Sequence, residues 1–576
     1  MAGQAPISSL SIAMTGSGGS GVMTAGNMLL DAAAAVGLYG LMTRSTGPQI
    51  RGGEAAAMLR LAAHAVDSHA DRFDILVALD WENVQRFAAE LPLDSDSLII
   101  ADPAAGEMPA AIGAKGARAV GLPLAKLAKQ TPGGRANMVA LGVLASLIGL
   151  PVSSMTAVIA KSLKKKDAAA LVASTAALEA GAAAAAELPP VPRLALPARI
   201  PANRWTISGN QAAGLGALRG GVRFVAAYPI TPATEILEWM APALTKLGGV
   251  LVQAEDELAS INMIIGASYG GVPALTATSG PGLSLMTESI GLAVSSEVPV
   301  VVINVMRGGP STGIPTKSEQ ADLNLALYGL HGDAPHLVLA PLSVADCLFT
   351  TQWAVHLAEA LQAPAIVLSD QFLGQARAVI ERPADLAFVA RREVANAPTD
   401  TYQRYAVTAS GVSPMTLPGT AKGQYTADGL EHGPRGTPSS QAQDHLAQLD
   451  KRQRKLDRLD YGRYWAEIDG EGQLAIVTWG STTAPVREAL ARAREDGVAA
   501  KHIAIRLLSP AQPRQLAQAL AGVERVLVIE QSHGGQFHRY LRAHYDLPGE
   551  VRPFFRPGPL LFRPGEIHAQ LKQWSQ

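Results

Sequence analysis

Cysteine is almost absent from this 576-residue chain: Cys347 is the only one. An internal disulfide framework is therefore excluded, as is an iron–sulfur cluster or zinc site ligated by the chain's own cysteines. Net charge is equally scarce, −1 from 48 basic and 49 acidic side chains, so neither nucleic acid nor an anionic membrane is implied as a partner. No run reaches ~18 uninterrupted strongly apolar residues. The start, MAGQAPISSLSIAMTGSGG, lacks the basic stretch and following apolar stretch of a secretory leader. A soluble cytoplasmic protein is the expectation.

What is present is apolar and periodic. Hydrophobic residues make up 48% and charged ones 17%, enough for large cores in about three or four domains. An alanine-rich helical pattern gives way near residue 190 to Pro189, Pro190, Pro192, Pro197 and Pro201, which cannot lie inside a helix and mark an extended linker. Periodicity fades again in TLPGTAKGQYTADGLEHGPRGTPSSQ and the charged DKRQRKLDRLD; a loop that long is usually functional or disordered. The expected organisation is a first domain at 1–190, a linker at 191–204, a second domain at 205–390, a polar linker at 391–470 and a third domain at 471–576. In all three, short Val/Ile/Leu-rich runs alternate with helical patterns, as in QLAIVTWGS, AAKHIAIRLL and RVLVIEQ. That alternation predicts an α/β protein of three units with mainly parallel sheets.

Near the N-terminus, SLSIAMTGSGGSGVMTAGNMLLDAAAAVG reads as strand, glycine-rich turn and helix. Gly16, Gly18, Gly19 and Gly21 would let backbone approach a nucleotide or coenzyme A phosphate at a helix N-terminus; a close-packed strand–helix turn is the commoner reason for such glycines. Asp31 falls too early, inside the helix, to be the acidic ribose partner of a dinucleotide fold. Arg51-Gly52-Gly53-Glu54 fits a docking or phosphate contact, or a solvated turn.

Three stretches of the middle domain end strands, where open α/β sheets place ligands. Tyr228-Pro229-Ile230-Thr231-Pro232 stops a buried run with two prolines and makes a rigid strand-to-helix turn. QAEDELASINMIIGASYGG puts Glu255, Asp256 and Glu257 directly after a strand end. A cluster complementing a helix dipole accounts for two of these acids; a carboxylate held at a buried strand end is a candidate acid/base or cofactor partner. VPVVVINVMRGGPSTGIPTKSEQAD runs a buried strand out at Arg307, which is a surface turn or a bidentate carboxylate clamp.

Taken together, YPITP, EDELASINMIIGAS, TATSGPGLSLMTESIG and MRGGPSTGIPTKSEQADL resemble the α subunit of the 2-oxoacid:ferredoxin oxidoreductases, and GSGGSG with GPQIRGGE resembles their γ subunit, fused in front. The fusion resembles the 2-oxoglutarate enzyme more than the pyruvate one. The resemblance implies a γ-like domain, a thiamine pyrimidine-binding domain and a transketolase C-terminal-like domain. It sets Pro229 and Ile230 beside thiamine diphosphate and Thr231, with Tyr228, on the 2-oxoacid. Glu257, nine residues before Gly266-Ala267, would hydrogen-bond the aminopyrimidine ring, with Glu255 as the fallback. Arg307 and Thr316 match positions that recognise the substrate carboxylate, and Lys317 adds charge or is a solvated residue. GLEHGPRG at 429–436 resembles the plug loop at the entrance, with Gly433-Pro434 where the family carries an acid and an aromatic.

The family's Gly-Asp-Gly for diphosphate and Mg²⁺ occurs nowhere here; Gly332-Asp333-Ala334 is the nearest. The resemblance therefore implies a β subunit supplying the Mg²⁺ site and a [4Fe-4S] cluster, no metal ligands in this chain, and an (αβ)₂ heterotetramer. The reaction implied converts 2-oxoglutarate and coenzyme A to succinyl-CoA and CO₂, with electrons passing to ferredoxin, reversibly and hence usable in a reductive TCA cycle. Ser311, Thr312, Thr316 and Lys317 favour a substrate with a second carboxylate. The alternatives are the same chemistry on pyruvate or a branched-chain 2-oxoacid and, more distantly, a non-catalytic nucleotide-binding assembly subunit.

Overall fold

The computed structural model describes residues 5–46, 55–163, 168–314 and 316–575. The chain forms two compact units. The first comprises Met1–Ile207, Gln375–Pro383 and Phe562–Ile567; the second comprises Ser208–Gly374, Ala384–Leu561 and His568–Gln576.

The first unit is built on an eight-stranded sheet, in spatial order Arg118–Gly121, Leu98–Ala101, Ile75–Ala78, Ser9–Gly16, Ala55–Ala62, Tyr39–Thr46, Arg377–Glu381 and Arg204–Ser208. The first four strands are parallel, and the pairings from Ser9–Gly16 through Arg377–Glu381 are antiparallel. Tyr39–Thr46 and Ala55–Ala62 follow one another without an intervening helical pattern, so they pair antiparallel and not through a crossover. Ile12, Met14, Leu29, Leu30, Ile75 and Val77 lie in one core. Ala168–Glu187 is, by length and composition, apolar enough to cross a membrane. Its alanines and Gly181 let it press on the helix Ala136–Ile148. A β-carbon on Gly142 would stand 1.9 Å from the Leu178 carbonyl, and one on Gly181 would stand 2.0 Å from that of Val139.

The second unit holds two sheets. Seven strands run in the order Leu507–Ser509, Leu337–Leu339, Ala365–Asp370, Val301–Met306, Ala274–Thr278, Phe224–Ala227 and Val250–Gln253, parallel except at Leu507–Ser509. Five more run in the order Ala466–Asp469, Ala500–Ile505, Leu474–Trp479, Arg525–Glu530 and Glu550–Phe555, with only the first antiparallel. Every residue of Ala274–Thr278 and Val301–Met306 is buried, as strands covered on both faces require. The α/β class with mostly parallel sheets is as the alternating pattern predicts.

The polar stretch after residue 390 is packed and not loose. Its helix Ala442–Asp457 buries Lys451 and Lys455 against Glu297, and Arg404 donates to the Glu297 carbonyl at 2.9 Å. Within 429–436, Glu431 pairs with Arg452 at 2.7 Å, and the His432 ring lies tilted against that of Tyr405, centroids 3.8 Å apart.

Candidate functional site

Val301–Met306, Ala274–Thr278, Phe224–Ala227 and Val250–Gln253 lie side by side and point the same way, so the segments leaving their carboxyl ends share one edge. Phe224–Ala227 gives out into the proline turn. Tyr228 is exposed; Pro229, Ile230 and Thr231 are half-buried, and the Thr231–Pro232 peptide is cis. Asn210 Nδ2 holds the turn from behind by donating to the Pro232 carbonyl at 2.9 Å. In front, Arg307 Nη1 donates to the Thr231 carbonyl at 2.7 Å, while Arg307 Nε is buried without a partner. The turn and the arginine are thus one assembly.

The three acids after Val250–Gln253 divide by geometry. Asp256 caps the helix Glu257–Tyr269, its Oδ1 accepting from the Ala259 N–H at 2.7 Å. Glu255 is exposed, and Glu257 is 7% exposed. No described group hydrogen-bonds the Glu257 carboxylate. It lies instead against the first turn of the helix Gly280–Ser295, where a β-carbon on Gly282 would stand 2.8 Å from Glu257 Oε1 and 2.0 Å from Thr278 Oγ1. A buried carboxylate without a protein partner, packed against a glycine whose missing β-carbon makes room for it, fits a ring carrying hydrogen-bonding nitrogens such as the aminopyrimidine of thiamine. Among the described residues no group of three or more His, Cys, Asp and Glu is gathered to hold a metal ion.

After Met306 the chain makes a tight loop. The Gly308 N–H donates to the Lys317 carbonyl at 3.0 Å, and the Ile314 N–H donates to the Gly308 carbonyl at 3.0 Å. This closure brings Thr316 and Lys317 beside Arg307-Gly308. Thr316 sits in left-handed backbone at φ 46° and is half-buried. No described contact joins its side chain to Arg307 or Thr231. The loop ends at Asp322, which accepts from Asn304 Nδ2 at 2.9 Å. Burial pushes Asp322 up to about 6, aided by the charge of Glu319 and opposed by Asn304 and Arg307. Burial also raises Glu319, against the Gly558 N–H and His533, and lowers Arg307, against Asp322.

In the first unit, Gly16 ends its strand buried, Gly18 and Gly19 are exposed, and Gly21 at φ 84° precedes the helix Val22–Ala35 with no side-chain cap. Ser17 donates through both N–H and Oγ to Asp80 Oδ2, each at 2.8 Å. A β-carbon on Gly21 would meet Asn137 Nδ2 at 2.3 Å. The loop is therefore both braced and open at Gly19. Asp31 lies inside the helix, paired with Arg377 at 3.1 Å. Arg51-Gly52-Gly53-Glu54 lies outside the described residues.

Sequence reasoning missed Asn210, Asn304, Asp322, Asp80 and Asn137. Asp80 follows Ile75–Ala78, the parallel neighbour of Ser9–Gly16, and only that pairing reveals it. The glycines of TATSGPG carried a signal for the close approach of Glu257 and Asp322.

Comparison with known proteins matches two family models. Residues 215–451 match the thiamine diphosphate-binding model of pyruvate flavodoxin/ferredoxin oxidoreductase, and residues 11–184 match the pyruvate ferredoxin/flavodoxin oxidoreductase model. The chain is 34% identical over 469 residues to the 2-oxoacid:ferredoxin oxidoreductase 2 α subunit of Aeropyrum pernix, covering 74% of this chain and 72% of that one. It is 36% identical over 368 residues to the 2-oxoglutarate synthase subunit KorA of Methanothermobacter thermautotrophicus, covering 63% of this chain and 96% of that one. Among solved structures, it is similar to the 2-oxoglutarate:ferredoxin oxidoreductase of Magnetococcus marinus, which holds 2-oxoglutarate, coenzyme A and succinyl-CoA. There the TM-score is 0.91 at 36% identity, over 99% of this chain and 100% of that one.

Proposed function

Because the chain belongs to the 2-oxoacid:ferredoxin oxidoreductase family, we propose that it is the γ-fused α subunit of a 2-oxoglutarate:ferredoxin oxidoreductase. The reaction is oxidative decarboxylation of 2-oxoglutarate with coenzyme A to succinyl-CoA and CO₂, with electrons leaving to ferredoxin through a partner subunit. The observation that carries this reading is the partnerless, buried carboxylate of Glu257 against Gly282. The likeness along nearly the whole chain to an enzyme solved with 2-oxoglutarate supports the choice of substrate.

Thiamine diphosphate, when bound, supplies the carbanion chemistry that cleaves the 2-oxoacid. Glu257 hydrogen-bonds its aminopyrimidine and shares the proton held at that ring, which is acid/base work. Pro229 and Ile230 form a stiff wall beside the cofactor. Thr231, with Tyr228, orients the 2-oxoacid, while Arg307 and Thr316 hold a carboxylate. Gly16, Gly18, Gly19 and Gly21 offer backbone N–H groups and a helix N-terminus to a coenzyme A phosphate.

A β subunit contributes the diphosphate and Mg²⁺ site and a [4Fe-4S] cluster, in an (αβ)₂ complex working in the cytoplasm. The N-terminal γ-like part, the pyrimidine-binding part around 205–390 and the C-terminal transketolase-like part divide these tasks.

The test is viologen reduction by the chain co-expressed with its β subunit, supplied with thiamine diphosphate, Mg²⁺ and coenzyme A. Preference for 2-oxoglutarate over pyruvate and 2-oxoisovalerate is expected. Preference for another acid would keep the mechanism and move the substrate. No reduction from a complex holding thiamine and an intact cluster would sink the catalytic reading in favour of an assembly role.

A further inference from the structure

Asp322 is a buried acid that its own helix does not use. It stands at the N-cap of Leu323–Tyr328, yet its side chain makes no capping hydrogen bond. The carboxylate turns inward to Asn304 and lies on the backbone of Gly280, where a β-carbon would stand 2.7 and 2.8 Å from its two oxygens. Only glycine at 280 leaves room for it. Asn304 Oδ1, Ser279 Oγ and Arg307 Nε are likewise buried without partners. Asp322 and Arg307 share no hydrogen bond or ion pair. They act on one another through the field: the acid favours the charged guanidinium, and the guanidinium favours the ionised acid.

We propose that Asp322 is a positioning residue acting through Arg307: its carboxylate offsets the guanidinium charge from beyond hydrogen-bonding distance and so sets how tightly Arg307 holds the 2-oxoacid carboxylate. The proposal rests on the reading of Arg307 as the substrate-carboxylate contact. The groups facing Asp322 are few. Arg307 and the neutral donor Asn304 come from Val301–Met306 and its end, Glu319 comes from the loop, and the Gly280 turn contributes the N-terminal dipole of its helix. Glu319 in turn faces the Gly558 N–H and His533.

The sign is fixed by this arrangement. Asp322 titrates at about 6, pushed up by burial first and then by Glu319. Below that pH it is neutral and Arg307 presents its whole charge; above it, the ionised acid offsets Arg307 and repels the incoming carboxylate. KM for the 2-oxoacid therefore rises with pH through this range. By linkage, bound substrate raises the proton affinity of Asp322.

The experiment measures KM and kcat between about pH 5 and 8 in the thiamine-loaded complex, for wild type, Asp322→Asn and Arg307→Met. Asp322→Asn keeps an acceptor for Asn304 and removes only the charge. Its KM at the alkaline end is expected to fall roughly three- to tenfold and to lose its pH dependence. Thiamine content, melting midpoint and kcat should stay as in wild type. An alkaline KM that is unchanged or higher, or one that still climbs with the wild-type midpoint, overturns the proposal. Should Asp322→Asn lose thiamine or its fold, Glu319→Gln carries the test: removing the like charge must move the KM midpoint to lower pH, and an unmoved midpoint overturns the proposal. Arg307→Met with unchanged KM removes the Arg307 reading and this proposal together. A raised Arg307→Met KM beside an unaltered Asp322→Asn profile removes this proposal alone.

Discussion

Arg307 Nη1 donates to the Thr231 carbonyl at 2.7 Å across 76 residues of chain. The strand between those they leave, Ala274–Thr278, separates them in the sheet, so the bond spans its carboxyl end. A guanidinium fixed by one nitrogen keeps its remaining N–H groups for a ligand, and a carboxylate is the group their fork matches. Arg307→Lys replaces that fork with a point charge. Losing one hydrogen bond to a charged group costs about 1.5–3 kcal/mol, so KM for the 2-oxoacid should rise roughly 10- to 150-fold while thiamine content holds. Steady-state viologen kinetics reads this, and an unchanged KM would show that Arg307 serves the turn alone.

Glu257→Gln should leave the complex folded and thiamine-loaded and lower kcat by roughly 10²- to 10⁴-fold, the usual weight of a positioned acid/base group. Glu255→Gln is the control. Its side chain is exposed and should change kcat little. If the two variants behaved alike, the activating carboxylate would have to be sought elsewhere.

Gly282 and Gly266 make opposite predictions from one substitution. A β-carbon on Gly282 would intrude on Thr278 Oγ1 at 2.0 Å and on Glu257 Oε1 at 2.8 Å, whereas one on Gly266 meets nothing within 4 Å. Gly282→Ala must displace Glu257 and should lower thiamine affinity and kcat together. Gly266→Ala, inside the helix Glu257–Tyr269, should raise the isolated chain's stability by about 0.5–1 kcal/mol through helix propensity. Calorimetry and thiamine titration separate the two.

The class of fold was legible because parallel sheets covered on both faces advertise themselves as short apolar runs between helical patterns. Val301–Met306 is such a run, and so is Arg525–Glu530. The antiparallel pairing of Tyr39–Thr46 with Ala55–Ala62 was not legible, since strand direction depends on connections more than on composition. The candidate site drew attention where rigidity or charge broke a pattern, as at Pro229, Pro232, Glu257 and Arg307. Asp322 and Asn304 escaped notice because a single acid or amide in a polar loop or buried strand looks ordinary until its partner is known. Asp256 shows the converse: within a run of three acids, only the fold tells the helix cap from the inward carboxylate.

Glu297 makes the last prediction, one of stability. It is fully buried with Lys451 and Lys455 on its two oxygens. Burial alone would raise its carboxyl, but Lys455, Lys451 and Arg404 together hold it far below the usual range. A carboxylate whose folded-state proton affinity is depressed stabilises the fold above its unfolded value of about 4.3, and that contribution is lost only as pH falls toward the folded value. Glu297→Gln strands two buried ammonium groups and should destabilise by about 3–5 kcal/mol near neutral pH. It should also flatten the stability curve in acid, because the titrating group is gone. Denaturant melts at about pH 7 and about pH 2, below the unfolded carboxyl value, decide it. A variant as stable as wild type at neutral pH would mean the lysines find other acceptors, and the packing of Ala442–Asp457 would then rest on its apolar contacts.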